Sequence, residues 1–310
     1  MSNSTGNSTM SHQQTLLALT EACHAYVPGY DPSYGYIPSM AAGITFCVLF
    51  GLSMFIHTGQ AIWTKRWWCL VFALGALTEV LGWAGRTWSA DCPYNGTAFL
   101  MQISTLIIAP VFFTAGIYII LGRFLQILGQ EYSFMKPTWY LWIFCTCDVL
   151  SLVIQAIGGG MASGQANSPN GNTKPGTDIM VAGIIFQLAS ITVFVYCMID
   201  FLYRLRVAPR EKRLSIRPLL LAMTISVVVI YIRSIYRTIE LLQGWSGYLI
   251  THERYFIALD GAMMVIAVGV FNVLHPGWLL PKQSDVMVGP EDEQIPMEES
   301  GKGSEAESAC

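Results

Sequence analysis

Three charged residues lie close together inside one long apolar stretch of the chain. Residues 219–243 read LLLAMTISVVVIYIRSIYRTIELLQ, and Arg233, Arg237 and Glu240 stand at positions i, i+4 and i+7 near its end. This spacing places all three on one face of an α-helix. A charge at the centre of a bilayer costs about 2.5 kcal/mol or more, so such residues usually face a bundle interior or a wet cavity. The stretch therefore predicts a polar site inside a membrane protein.

A seven-residue spacing separates pairs of polar residues in three other apolar segments: Glu79 and Arg86, Asp148 and Gln155, and Glu253 and Asp260. Seven residues cover nearly two helical turns, about 10.5 Å along one face. Each helix would therefore present a narrow polar stripe. We expect the stripes to meet in one intramembrane polar pathway, with Glu79 and Asp148 near the middle of the bilayer and the other members in its outer half.

Two interpretations of these polar stripes remain open. They could guide the head group of an amphipathic substrate, or buried pairs such as Glu79 with Arg237 and Arg233 with Asp260 could only fix the packing of the helices. The charge count favours a substrate site. Five acidic residues and three arginines leave it two charges negative if all are ionised, which suits a cationic amine. A crowded buried acid can also be protonated, which would reduce this charge.

The composition indicates a membrane protein. The chain has 310 residues, of which 53% are hydrophobic and only 12% are charged, whereas soluble domains carry about 25% charged residues. No strongly basic domain indicates binding to nucleic acid. We therefore expect an all-α polytopic protein.

Seven apolar segments reach the roughly 20 residues that a bilayer-spanning helix needs. They lie near 37–62, 67–88, 98–122, 138–161, 179–203, 218–242 and 254–279. Pro137 and Pro218 fit first-turn positions of the fourth and sixth helices, and Thr177 or Asp178 would cap the fifth. The sequence predicts a seven-transmembrane helix bundle.

Lysine and arginine residues concentrate in alternate connections. They follow the first, third and fifth segments, as Lys65 and Arg66, as Arg123 and Lys136, and as the basic run within 204–217. Because cytosolic connections carry such an excess, we predict an N-terminus outside and a C-terminus in the cytosol.

Several residues with their own chemistry fall on the predicted outer side. N-glycosylation sequons begin at Asn3, Asn7 and Asn95. Cys23 and Cys92 lie on the same side. A disulfide between them is one interpretation, and two unpaired thiols are the other.

The chain divides into three predicted regions. Residues 1–36 form an extracellular N-terminal tail, and residues 37–280 form the seven-span domain. Residues 281–310 are acidic and poor in apolar side chains, so we expect a disordered cytosolic tail.

Two sites are candidates for hinges. Pro110 stands in the middle of the third segment, where it removes one helix hydrogen bond and frees a carbonyl group. Gly158 and Gly159 stand near the outer end of the fourth segment. Each site could serve gating or only close packing of helices.

Several of these residues together resemble a known family. The most specific motif is Arg233-Ser-Ile-Tyr-Arg237-Thr-Ile-Glu240, followed by Glu253, Tyr255 and Asp260. It accompanies the upstream motifs Glu79-Val-Leu-Gly82-Trp-Ala-Gly85-Arg86 and Tyr36-Ile37-Pro38-Ser39. Across residues 34–280 the chain resembles the fungal RTA1-like family, also called the lipid-translocating exporter family.

The resemblance implies a protein that exports or flops sphingoid long-chain bases or lipophilic toxins and contributes to stress or drug resistance. One branch of the family is associated with porphyrin or haem traffic, so the resemblance also implies this role as a lesser alternative. It implies no catalytic residue. We therefore predict a transporter of the plasma membrane that is not an enzyme and needs no cofactor or metal. Its partners would be membrane lipids and an amphipathic substrate, and the sequence does not indicate an oligomeric state.

A seven-helix sensor or receptor-like regulator of lipid stress is the main alternative. It shares the number of segments and the orientation, although Leu121-Gly122-Arg123-Phe124 replaces an acid-Arg-aromatic triplet at the end of the third segment. The sequence has no GxxxxGK[ST] loop for ATP, and residues 254–279 contain no lysine for a retinal Schiff base. His57 and His275 could form a haem pair or stand as two separate interfacial histidines.

Overall fold

The protein is helical throughout the part of the chain that is described. The computed structural model describes Leu19 and residues 23–133, 135–166, 171–207, 209–245 and 247–280. Seven of its helical segments are long and apolar enough to cross a membrane, which confirms the predicted fold class. The predictions for Asn3, Asn7 and the tail 281–310 lie outside the described residues.

Six long helices account for the first six spans of the described chain: α1 (Met40–Thr64), α2 (Leu70–Asp91), α3 (Gly96–Leu128), α4 (Pro137–Ala166), α5 (Lys174–Leu205) and α6 (Arg210–Leu242). The seventh span, Glu253–Leu279, is divided. It consists of α7 (Glu253–Phe256), a π-helical segment (Ile257–Ala262), α8 (Met263–Val273) and α9 (Pro276–Leu279).

Several helix starts follow from local sequence chemistry. Ser39 precedes α1, and its hydroxyl accepts a hydrogen bond from the backbone N–H of Ala42. Asn95 precedes α3, and its Oδ1 accepts from the N–H groups of Thr97 and Ala98. These side chains satisfy backbone donors that a helix start leaves open. Pro137 opens α4, as predicted.

Two other predicted helix starts are wrong. Helix α6 begins at Arg210, so Pro218 lies inside it. Helix α5 begins at Lys174, so neither Thr177 nor Asp178 caps it. The apolar pattern marks where a helix enters the bilayer, whereas the helix itself continues into the connection.

The packed core contains buried side chains from all seven spans. Trp83, Leu106 and Phe113 are fully buried there. Short connections make consecutive helices antiparallel neighbours, and α1 packs on α2, α2 on α3, and α4 on α5. Large apolar side chains such as Phe55 and Trp142 point outward and are exposed, as contact with lipid requires.

Glycine residues allow α4 and α5 to approach closely. A Cβ atom on Gly158 would lie 2.4 Å from the backbone nitrogen of Met180, and one on Gly176 would lie 2.4 Å from that of Ala162. Such small residues let membrane helices pack backbone against backbone. Gly158 therefore serves close packing, whereas a Cβ atom on Gly159 would meet only the Met180 sulfur, at 3.7 Å.

The bundle has two chemically different ends. At one end, which we call the disulfide end, a disulfide joins Cys23 to Cys92, and the backbone N–H of Ser39 donates to Glu253. At the other, the basic end, the connections carry Lys and Arg residues, and Arg66 donates to the carbonyl of Leu280.

Candidate functional site

The π-helical segment of the seventh span carries a fully buried carboxylate, Asp260. Its Oδ1 lies 2.8 Å from Nε of Arg233 and 3.9 Å from Nε of Arg237. Arg237 also pairs with Glu240 on its own helix, with 2.5 Å between Nη1 and Oε2. These four side chains form one buried ion-pair cluster between α6 and the seventh span. π-Helical turns recur at functional sites.

Pro110 explains a further contact of this cluster. Proline has no backbone N–H, so the carbonyl of Leu106, four residues earlier in α3, receives no helix hydrogen bond from it. Nη2 of Arg233 donates to that carbonyl at 2.7 Å. The carbonyl that the sequence predicted to be free is thus satisfied by Arg233, which joins α3, α6 and the seventh span.

Arg86 forms a second ion pair, nearer the disulfide end. Its Nη2 lies 2.9 Å from Oε1 of Glu253, and the same oxygen accepts from the backbone N–H of Ser39. Nη2 also donates to the hydroxyl of Tyr36 at 2.5 Å. The guanidinium carbon lies 4.4 Å from the ring centre of Phe256, a cation–π distance. Nη2 of Arg86 is therefore held by Glu253 and Tyr36, whereas its buried Nε has no hydrogen-bond partner among the described residues.

Residues 23–39, which we call the strap, cover this second pair. The Cys23–Cys92 disulfide holds the start of the strap. The Tyr94 hydroxyl accepts from the N–H of Val27 at 3.0 Å and donates to the carbonyl of Tyr30 at 2.9 Å. The strap therefore closes the disulfide end above Arg86.

Two strap tyrosines reach into the bundle. The buried hydroxyl of Tyr34 donates to Oε1 of Gln102 and lies 3.3 Å from the hydroxyl of Ser89. Burial raises the pKa of Tyr34 to about 12. Burial also raises the pKa of Tyr36, although the nearby Arg86 opposes this shift.

Asp148 lies apart from the arginines, between α3 and α4. Its Oδ2 accepts hydrogen bonds from the hydroxyl of Thr114 at 3.0 Å and from that of Tyr118 at 3.1 Å. Among the residues with described side chains, no cation pairs with Asp148. It is a buried acid held only by neutral donors.

Glu79 is a buried acid that forms no ion pair with a described side chain. It is fully buried in α2, and neither of its carboxylate oxygens makes a well-formed hydrogen bond to a described residue. Its polar surroundings are Trp83, Arg233, Arg237 and Asp260. The predicted pair of Glu79 with Arg237 is not formed, because Arg237 pairs with Glu240 and Asp260 instead.

Gln155 connects the polar centre to the lipid-facing surface. Its Nε2 donates to Oε1 of Gln187 at 3.0 Å, while its own Oε1 is buried without a partner among the described residues. Gln155 lines a gap of about 20 Å³ that also contacts Arg233 and Arg237. A gap of this size holds about one water molecule.

Gln155 also lines a much larger groove of about 550 Å³. This lipid-facing groove runs between α3 and α4. Its walls are mostly apolar and include Leu100, Ile103, Leu152 and Val153. The groove and the narrow gap therefore meet at the buried amide of Gln155.

The two histidines lie side by side at the basic end. Both are fully buried, and their ring centres are 5.7 Å apart. Nδ1 of His275 accepts from the N–H of Gly277 at 3.1 Å. The expectation of two separate interfacial histidines is wrong, since the seventh span places His275 against His57. Within the described ranges, no group of three or more His, Cys, Asp or Glu side chains could hold a metal.

The remaining predicted residues have simple surroundings. Asn95 is half-buried, and its Oδ1 caps α3. Sequence reasoning did not include Gln187, Gln102 or Thr114. Each lacks a polar partner seven residues away on its own helix, so the spacing that marked the stripes gave no signal. A glutamine within an apolar stretch was the available sign.

The fold and this site define a polytopic membrane protein with a buried polar centre next to a lipid-facing groove. Residues 72–283 match the family described as "RTA1 like protein". The chain belongs to this RTA1-like family. No solved structure matches the chain.

Three proteins of Saccharomyces cerevisiae are similar to this chain. The sphingoid long-chain base transporter RSB1 (strain Lalvin EC1118) is 33% identical and covers 92% of this chain and 82% of its own length. Protoporphyrin uptake protein 1 (strain S288c) is 27% identical, and the match covers 77% of this chain and 90% of that protein. Protein RTA1 of the same strain is 28% identical, and the match covers 78% of this chain and 84% of that protein.

Proposed function

We propose that this protein translocates an amphipathic lipid of the sphingoid long-chain base class, or a lipophilic toxin of similar shape, between the two sides of the membrane. The observation that carries the proposal is the meeting of an apolar groove and a polar gap at Gln155. The groove suits the hydrocarbon chain, and the unpaired Oε1 of Gln155 suits an ammonium or hydroxyl donor of the head group.

The charges of the polar centre favour a cationic head group. Arg233, Arg237 and Arg86 are matched by Asp260, Glu240 and Glu253. This pairing leaves the carboxyl groups of Glu79 and Asp148 without a cation among the described side chains. A cationic amine would supply the charge that these acids lack. A porphyrin with its own carboxylates would not, although one relative is named for protoporphyrin uptake.

Translocation would require the helices to move apart. The gap beside Gln155 is too small for a head group, and the strap covers the disulfide end. Pro110 and Gly159 are the proposed hinge residues, since Pro110 interrupts the hydrogen bonding of α3 and Gly159 has room around it: an added Cβ would meet only one sulfur atom. Gly158 would act as the tight contact about which α4 moves.

We further propose an orientation with the disulfide end outside the cell and the basic end in the cytosol. The Lys and Arg residues of the basic end support it. A disulfide persists in an oxidising environment, which supports an outer position for Cys23 and Cys92. Asn95 would then be open to N-glycosylation. A plasma-membrane location and a role in stress or drug resistance belong to the same proposal.

Reconstitution of the full chain in lipid vesicles tests the transport proposal. Wild-type protein should accelerate the transbilayer movement of a fluorescent sphingoid base, measured with a quencher that cannot cross the membrane. Gln155→Leu should slow the movement about tenfold, since one hydrogen bond contributes up to about 1.5 kcal/mol. The control Gln126→Leu changes an exposed glutamine of α3 and should leave the rate unchanged.

The alternatives predict other results in the same vesicles. A sensor of lipid stress would bind the base without accelerating its movement. A porphyrin carrier would accelerate the movement of protoporphyrin and not that of the base. Wild-type protein that moves neither compound would contradict transport altogether.

A further inference from the structure

A cavity of about 530 Å³ lies at the basic end, between the last turn of α5 and the first turns of α6. Four arginines line it: Arg206, Arg210, Arg213 and Arg217. The other described lining residues are Leu202, Leu205, Leu214 and Leu220. The cavity thus combines a cationic rim with apolar walls.

The cationic rim has no counter-charge among the described side chains. None of the lining residues with a described side chain is acidic, and none of its arginines takes part in an ion pair between described side chains. Four like charges around one space repel one another. An anion in the cavity would remove this repulsion, and arginine is well suited to bind phosphate through paired N–H donors.

The helical spacing of the α6 arginines and a contact with α5 place their side chains around the cavity. Arg210, Arg213 and Arg217 share one face of α6, at positions i, i+3 and i+7. Nη1 of Arg213 donates to the carbonyl of Arg206 at 3.2 Å, which ties the end of α5 to α6. The first backbone N–H groups of the 33-residue helix α6 also lie here, and no described side chain caps them. A helix start of this kind favours anions.

The position of the cavity points to a lipid. The sixth apolar span begins at Ile216 and the fifth ends at Leu205, so the cavity lies at the boundary between the apolar spans and their basic connection. Lipid head groups occupy this level of a bilayer, and basic pockets between helices on the cytosolic side bind anionic head groups. The leucine walls would contact the upper part of the lipid chains.

We propose that this cavity binds the phosphate-bearing head group of an anionic phospholipid. The site differs from the proposed transport site in place and in charge: it lies at the basic end and is positive, whereas the excess acids of the polar centre lie within the bundle. It therefore holds a resident lipid and not the cationic substrate. The inference does not depend on the transport proposal.

Purified full-length protein in phosphatidylcholine nanodiscs tests this site. Phosphatidylinositol 4-phosphate is titrated into the nanodiscs, and retained lipid is counted by native mass spectrometry. The double variant R213Q/R217Q should bind it at least tenfold more weakly than wild type. The charge-matched control K65Q/K136Q removes two exposed cations from the other basic connections and should stay within twofold of wild type. R213K/R217K, which keeps the charge, should retain part of the binding.

The remaining outcomes separate a site from general attraction. Equal losses in R213Q/R217Q and K65Q/K136Q would overturn the proposal in favour of a diffuse positive surface. Unchanged binding in R213Q/R217Q would overturn it outright. Millimolar inorganic phosphate that displaces the lipid fully would assign the cavity to a free anion instead. Size-exclusion profiles like that of wild type confirm that each variant is folded.

Discussion

The acids of the polar site, which are buried except for the half-buried Glu253, fall into two groups. Asp260, Glu240 and Glu253 each lie within 2.9 Å of an arginine nitrogen. Glu79 and Asp148 have no arginine or lysine partner among the described side chains. The paired acids hold α6, the seventh span and the strap in place, and an arginine already neutralises the charge of each. When ionised, the unpaired acids would place a negative charge in the bundle, and we propose that this charge attracts the head group of a ligand.

This difference assigns different roles to residues that look alike in sequence. Removing one member of a buried ion pair leaves an uncompensated charge and costs about 3–5 kcal/mol. Neutralising an acid that has no partner removes a burial penalty instead. Substitutions in the paired group should therefore lower stability more than those in the unpaired group. Substitutions of the unpaired acids should have the larger effect on transport.

Arg233→Ala should have the largest effect on stability. It leaves Asp260 without its closest cation and the Leu106 carbonyl without its donor, so we expect a loss of about 3–5 kcal/mol. Thermal unfolding of the detergent-solubilised protein, followed by size exclusion, measures this loss.

The matched control for this variant is Arg204→Ala. Arg204 pairs with Asp200 on the exposed side of α5, and such pairs contribute about 0.5 kcal/mol or less. Equal stability losses in the two variants would contradict a special role for the buried pairs.

The strap, which covers the ion pair of Glu253 with Arg86, should loosen at alkaline pH. Burial raises the pKa of Tyr34 to about 12, above the ordinary value of about 10. Because this pKa is higher in the folded than in the unfolded state, the neutral Tyr34 contributes its full stabilisation of the folded strap below pH 10. That contribution is lost as the pH rises to 12. The shift corresponds to about 3 kcal/mol. Proteolysis of the strap across this pH range measures the loss.

Tyr34→Phe provides the control for the alkaline transition. Phenylalanine cannot ionise, so the strap of this variant should show no step between pH 10 and pH 12. A step of the same size in both proteins would mean that another group is responsible.

Glu79→Gln should have the smallest effect on stability. The carboxylate of Glu79 makes no well-formed hydrogen bond to a described residue, and glutamine has a similar shape without the charge. We expect the midpoint of thermal unfolding to stay equal or to rise. A loss as large as that of Arg233→Ala would show that Glu79 has a structural partner and would remove the distinction between the two groups.

The spans and the polar stripes could be read from the sequence because both are local patterns. An apolar run of about 20 residues marks a span, and a spacing of seven marks one face of a helix. The pairing within the site could not be read in this way. Whether Arg237 meets Glu79 or Glu240 depends on the rotation of α2 against α6, which no spacing along one helix specifies.

The seventh span shows a second limit of sequence reasoning. The apolar pattern of 254–279 predicts one continuous helix, whereas the structure has a π-helical segment at Ile257–Ala262. That segment carries Asp260, which lies 2.8 Å from Arg233. The family motif marked both residues, but the local change of helix type depends on tertiary contacts.

The central claim is that the charges of Glu79 and Asp148 select a cationic lipid. The most direct test compares the movement of a sphingoid base with that of its uncharged N-acetyl derivative in vesicles. The two substrates are tested with wild type, with the double variant E79Q/D148N and with the control Asp200→Asn. Wild type and the control should move the base faster than the derivative, and E79Q/D148N should move both at one slow rate. An unchanged preference for the base in E79Q/D148N would contradict the claim.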